Sequence, residues 1–178
     1  MQISIDGFAA RPQGELDWMT WNMDEKILGF INGLTDASGT ILMGRKMTDG
    51  FINYWESVKP ESPEYTFAKK MIDIPKVVFT KTMTESPWVN TTLAHDLVKD
   101  INDLKEKDGK DIIAYGGAGF VTNLIKENLI DDYYLFVNPI AIGEGLTIFG
   151  DVGGNKELRL VDSTPYECGI IVNHYQRA

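Results

Sequence analysis

Short apolar runs alternate with stretches of helical period along this chain, and that alternation most restricts what it can fold into. "QISI" at the start, "TILM" at 40 to 43, "KVVFT" at 76 to 80 and "DIIAY" at 111 to 115 have the length and branched side chains of strands. Helices are expected at about 24 to 35, 64 to 72 and 95 to 107. Another is expected after Gly119, where Phe120, Val121, Leu124 and Ile125 recur at helical spacing up to a stop at Asn128. This order predicts an α/β domain with parallel pairing. The last third changes character: "DYYLFV" alternates its side chains, "GEGLTIF" turns, and stretches near 157 to 166 and 169 to 176 read as strands, giving an antiparallel edge. With 178 residues and no long linker or repeat, a single domain over residues 1–178 is expected, with "VKPESPEY" a polar loop that could cover a site.

Seventeen Lys and Arg against twenty-six Asp and Glu give a net charge of −9, which repels nucleic acid and anionic lipid. The expected partner is a small molecule. Cys168 is the one cysteine and His95 and His174 the two histidines, too few and too scattered for a disulfide or a zinc site, so no metal is expected. Asp6, Gly7 and Arg11 stand where a signal peptide would have its apolar core. No apolar run nears the roughly 20 residues of a membrane span, and a cytoplasmic protein is expected.

Three strand ends carry groups suited to phosphate. "YGGAGF" sets Gly116, Gly117 and Gly119 between a strand and a helix, where bare backbone can approach a ligand and free N–H groups favour an anion. The dinucleotide pattern G-x-G-x-x-G fails, because Thr122 stands at its third glycine, and a tight turn with nothing bound is the plain alternative. "MGRK" adds Gly44, Arg45 and Lys46 at a second strand-to-helix junction, and "VVFTK" adds Thr80 and Lys81 at a third strand end. Singly, each cation reads as a solvated surface charge; together, they predict a phosphorylated ligand across the edge of the sheet.

"SIDGF", "GELDW", "MGRK", "VVFTK" and "YGGAGF", in this order, resemble the dihydrofolate reductase superfamily. "SIDGF" and the late "NPIAIGEGLTIF" bring the chain nearer to the branch holding the pyrimidine reductase of riboflavin synthesis, the C-terminal reductase domain of the bifunctional deaminase-reductase. The resemblance implies a three-layer α/β/α fold on a mixed sheet of about eight strands with an antiparallel C-terminal edge. It also implies bound NADPH, a small heterocyclic substrate and a homodimer. Ala9 and Ala10 would face the nicotinamide, while Gly44, Arg45, Lys46 and Met47 would meet the phosphates. Thr80 and Lys81, with Arg45, would hold the 2′-phosphate, and Gly116, Gly117, Ala118, Gly119 and Phe120 would wrap the pyrophosphate. The activity implied resembles that of 5-amino-6-(5-phosphoribosylamino)uracil reductase, with a true dihydrofolate reductase or a catalytically weak NADPH-binding module as alternatives.

Met47 replaces the family's usual Thr and Asp17 its usual Pro before Trp18, and only Met1, Gln2 and Ile3 precede "SIDGF" where the family's first strand starts earlier. Ile74 aligns with the Arg that clamps the folate carboxylate; Lys76 could substitute, but without bidentate geometry, so folate is disfavoured. No H-x-E with P-C-x-x-C exists, which excludes the deaminase. Reduction of a C=N or C=O bond needs a proton as well as a hydride, and Asp24, six residues after Trp18, is the candidate catalytic acid, with helix capping as the alternative. Trp18 and then Phe8 are the candidate substrate contacts; a place in the core is the alternative for each.

Overall fold

Unbroken apolar runs such as Ile41–Leu42–Met43 suit strands buried on both faces, which is where parallel pairing is found. The computed structural model describes residues 1–178. They form two compact units, one of Ile31–Gly117 and the other of Met1–Phe30 with Ala118–Ala178.

In the Ile31–Gly117 unit, β3 (Ser38–Gly44) pairs in parallel with β4 (Lys76–Phe79) on one side and β6 (Asp111–Gly116) on the other. β5 (Thr91–Ala94) adds in parallel to β4, giving the order β5-β4-β3-β6. Helices α2 (Arg45–Ser57), α3 (Tyr65–Asp73) and α4 (Leu97–Lys105) connect the strands. Ile41, Met43, Phe51, Ile52, Met71 and Val78 form the core. Phe51 meets the rings of Tyr115 and Trp55 edge-on, at 5.1 and 6.2 Å.

The other unit holds a mixed sheet. β1 (Gln2–Ser4) runs parallel to β7 (Asp132–Asn138), and β10 (Ile171–Arg177) pairs antiparallel with both β7 and β9 (Leu158–Pro165), which is the expected C-terminal edge. β2 (Phe8–Ala10) and β8 (Leu146–Thr147) form a separate antiparallel ribbon. Helix α5 (Ala118–Lys126) buries Val121 and Ile125 with Ile3, Tyr133, Leu135 and Ile148. It stops near Asn128, whose φ of 55° lies in the left-handed region that ends helices. Helix α1 (Glu25–Ala37) spans the division between the units, and its Phe30 contacts Tyr134 and Phe136 at 5.9 and 6.1 Å.

Ten strands in three hydrogen-bonded groups stand where the sequence predicts about eight. The strands that no stretch of the sequence announced are β2, β5 and β8, of three, four and two residues, too short for any period to show.

Candidate functional site

Because β5, β4, β3 and β6 run parallel, their C-terminal ends share one edge, and the pairs Phe79↔Ala94, Gly44↔Phe79 and Met43↔Gly116 align them in a row. The three glycine and cation junctions read from the sequence meet here. Gly44 leads into α2 with no side chain capping the helix, so the first-turn N–H groups at Arg45, Lys46 and Met47 remain free for an anion. The Met47 side chain packs on the core, so its contribution at this edge is its backbone. Lys46 and Lys81 are exposed.

Arg45 is held in place. Its Nη1 donates to Asp49 at 2.8 Å, its Nε donates to the Met83 sulfur, and the guanidinium lies 5.0 Å from the centre of the Trp88 ring. Nη2 keeps its donors for a ligand. Thr80 is buried, and its hydroxyl oxygen accepts from the N–H groups of Thr82 and Met83, both at 3.3 Å. That bond pair shapes the turn carrying Lys81 and leaves the hydroxyl proton to donate elsewhere.

Gly116 needs to be glycine for its backbone, with φ of 132°. Gly117 and Gly119 do not: a Cβ at either would meet nothing within 4 Å. The protein's own packing therefore leaves open space beside both. Ala118 and Phe120 point apolar side chains at the core of their unit and offer only backbone outward.

In the Met1–Phe30 and Ala118–Ala178 unit, β2 presents Phe8, Ala9 and Ala10, the last two buried. Its partner strand follows Gly145, where a Cβ would lie 2.2 Å from the Ala10 carbonyl oxygen. Only glycine permits that approach. Trp18 is 5% exposed, and its Nε1 is the one buried side-chain nitrogen or oxygen without a hydrogen-bond partner. An orphaned buried donor is costly and calls for an acceptor from outside the chain.

Asp24 caps α1. Its Oδ1 accepts from the N–H groups of Ile27 and Lys26 at 3.1 and 3.0 Å, and its Oδ2 accepts from Cys168 N–H at 3.3 Å. The Ile27 bond above all, against some opposing burial and helped by Cys168 and Lys26, holds the carboxyl below its ordinary range. Asp24 is therefore ionised at neutral pH, with a shallow depression formed by Met23, Glu25, Lys26 and Glu167 around it. Lys76, read from sequence as a possible carboxylate clamp, is instead buried, and its Nζ donates to the carbonyls of Ile72 and Ile74 at 2.7 and 2.8 Å, capping the end of α3.

Two polar groups escaped the sequence reading. Asp6 accepts from the Ser4 hydroxyl at 2.6 Å and from the N–H groups of Ile142 and Gly143 at 3.1 and 2.8 Å, which ties "SIDGF" to the loop of "NPIAIGEG". Asn138, fully buried, donates to Gln2, Ile3 and Phe136 and accepts from Thr20 N–H at 2.9 Å, which anchors the segment following Trp18. The two sequence motifs they belong to were the available signal, read only as a family resemblance.

The chain matches the RibD C-terminal domain family over residues 1–172. The uncharacterized protein YyaP of Bacillus subtilis (strain 168) is 30% identical over 171 residues, covering 96% of this chain and 89% of that protein. A proposed riboflavin biosynthesis protein from Shewanella sp. PV-4 has a TM-score of 0.75 at 26% identity, covering 100% of this chain and 96% of that one. A dihydrofolate reductase from Enterococcus faecalis, complexed with NADP(H), shares the fold with a TM-score of 0.64 at 16% identity, covering 99% and 92%. With a family match over nearly its whole length and a dihydrofolate reductase-like α/β fold, the chain belongs to the RibD C-terminal domain family.

Proposed function

We propose that this chain is an NADPH-dependent reductase of a small, flat heterocycle, of the class that includes 5-amino-6-(5-phosphoribosylamino)uracil reductase, and that it acts as one domain, a homodimer, in the cytoplasm. The observation that carries the reading is the row of parallel strand ends, with an uncapped helix start at Gly44, a fixed guanidinium at Arg45 and open backbone at Gly117. These residues fit a doubly phosphorylated nucleotide. The exposed apolar residues Leu160 and Val161 on the edge strand β9 support pairing of two copies.

Bound NADPH would supply the hydride. Arg45, Lys46, Met47, Thr80 and Lys81 would hold its phosphates, with Gly44, Gly116, Gly117, Ala118, Gly119 and Phe120 offering backbone, and Ala9 and Ala10 would orient the nicotinamide amide. The Trp18 indole N–H would donate to a ring oxygen or nitrogen of the substrate, against which Phe8 packs. Asp24, ionised, would act as an acceptor that orients a water or a substrate N–H, with the proton arriving through that water.

Titrating NADPH by fluorescence and following its absorbance with the riboflavin-pathway pyrimidine and with dihydrofolate tests the reading. Binding, with oxidation by the pyrimidine and little by dihydrofolate, is expected. Tight binding without turnover would make the chain a binding module, and absence of binding would remove the reading. Asp24→Asn should slow turnover and abolish the low-pH limb of the rate profile; unchanged kinetics would leave Asp24 as a helix cap alone.

A further inference from the structure

We infer that His95 is a further specificity residue of the cofactor site, meeting the 2′-phosphate in its protonated form, so that NADPH binding takes up a proton that NADH binding does not. This rests on the cofactor reading above.

Parallel pairing makes β5 the fourth strand of the row, and His95 is the residue that follows it, exposed and next to the end of β4. Its Nδ1 lies 2.9 Å from the carbonyl oxygen of Thr80. A carbonyl only accepts, so Nδ1 carries a hydrogen in either charge state, and Nε2 is the nitrogen left to a ligand. The ring is thus fixed beside Thr80 and Lys81. In its neutral form Nε2 bears only a lone pair, which repels a phosphate oxygen. In its cationic form Nε2–H donates and adds a positive charge to those of Lys81 and Arg45.

The charged groups on the neighbouring elements include Asp96, the cap of α4, with Lys99, Asp100 and Asp103 of α4, Lys81 after β4, and Arg45 with Asp49 of α2. Asp100 accepts from the backbone N–H groups of His95 and Asp96, both at 3.0 Å, and Asp96 accepts from Lys99 N–H. Arg45 bonds Asp49. None of these carboxylates bonds Nε2. A dianion seated beside the ring would therefore favour the form in which Nε2 carries a hydrogen. The 2′-phosphate itself would release protons on meeting cations, its second pKa being about 6, so uptake has the opposite sign and identifies the imidazole.

Calorimetry of NADPH and NADH binding at pH 7.5, in buffers of different ionisation enthalpy, reads the proton directly. Wild type should take up a proton with NADPH and none with NADH. His95→Ala and His95→Gln should abolish the uptake and weaken NADPH about tenfold or more while leaving NADH unchanged. An NADPH/NADH affinity ratio unchanged in both variants, or wild-type binding of NADPH without proton uptake, would overturn the role of His95 while leaving the cofactor reading intact. Wild type that binds neither nucleotide would overturn both.

Discussion

Lys76 opens β4, is 3% exposed, and gives its ammonium to two carbonyls at the end of α3. Burial, only partly offset by Asp73 and Glu56, pushes its pKa down from 10.5 to about 8. Between those values the unfolded chain holds a proton that the folded one has released, so stability rises with pH across that window. Below it both states are protonated and the contribution is constant. The gap, at ~1.4 kcal/mol per pH unit, gives roughly 3 kcal/mol over the whole window. Lys76→Met removes it. At pH 7 two effects oppose in that variant: two carbonyls lose a charged donor, at about 1 to 3 kcal/mol, and a buried charge disappears, which returns a similar amount. The slope is therefore the diagnostic. Urea unfolding of both proteins at half-unit steps from pH 7 to 10.5 should show wild type gaining roughly 3 kcal/mol relative to Lys76→Met above pH 8. Parallel curves would refute the reasoning, and with it the claim that this ammonium is too committed to clamp a substrate carboxylate.

Gly145→Ala should destabilise the protein by about 1 to 3 kcal/mol, because the new methyl would stand 2.2 Å from the Ala10 carbonyl oxygen and part the ribbon of β2 and β8; an unchanged thermal midpoint would deny that close approach. Asn138→Ala breaks a buried set of four bonds and should cost roughly 2 to 4 kcal/mol by urea unfolding, against less than 1 kcal/mol if the side chain merely fills space. Trp18→Phe removes an unpartnered donor, so the unliganded protein should melt no lower while the substrate KM rises; a KM that stays put would leave the indole N–H without a role. Arg45→Ala should weaken NADPH roughly 10 to 100 fold and NADH much less, and equal losses for the two would mean that Arg45 does not read the 2′-phosphate.

Which of these residues could be read in advance follows from the range of their interactions. β3, β4 and β6 were legible because a parallel strand buried on both faces writes itself as an apolar run, and their ends came with them. Gly44, Arg45 and Lys81 stand immediately after those runs, so the strand-end row needed no knowledge of distant partners. β5 was not legible, because four residues are too brief for any period to announce a strand. Lys76 misled for the opposite reason. Lysine is almost never buried, and only the carbonyls at the end of α3 make this one an exception. Asp24 was legible both as a candidate acid and as a cap, since an Asp before a helix serves either; the N–H groups of Ile27 and Lys26 show the cap in place.

Asn138 and Asp6 lie beyond any local reading, since their bonds reach as far as Gln2 and Gly143, 136 and 137 residues along the chain. Together they explain why the two most recognisable stretches of the sequence belong to one device. Ser4 donates to Asp6 and accepts from Phe8 N–H, which folds the turn between β1 and β2 on itself. Asp6 then fastens that turn to the backbone just before Gly145, so the strand bearing Ala9 and Ala10 is fixed at its start by a carboxylate and at its end by a glycine that lets β8 approach. Asn138, at the close of β7, bonds Gln2 and Ile3 of β1 and the Thr20 backbone, two residues after Trp18. A hydride acceptor tolerates little displacement, and misplacement by about 1 Å can cost a hundredfold in rate. Polar groups buried or bonded on every side are rigid in a way that apolar packing alone is not, so under the proposed reading an amide with no access to water would hold steady the strand and loop that face the reaction.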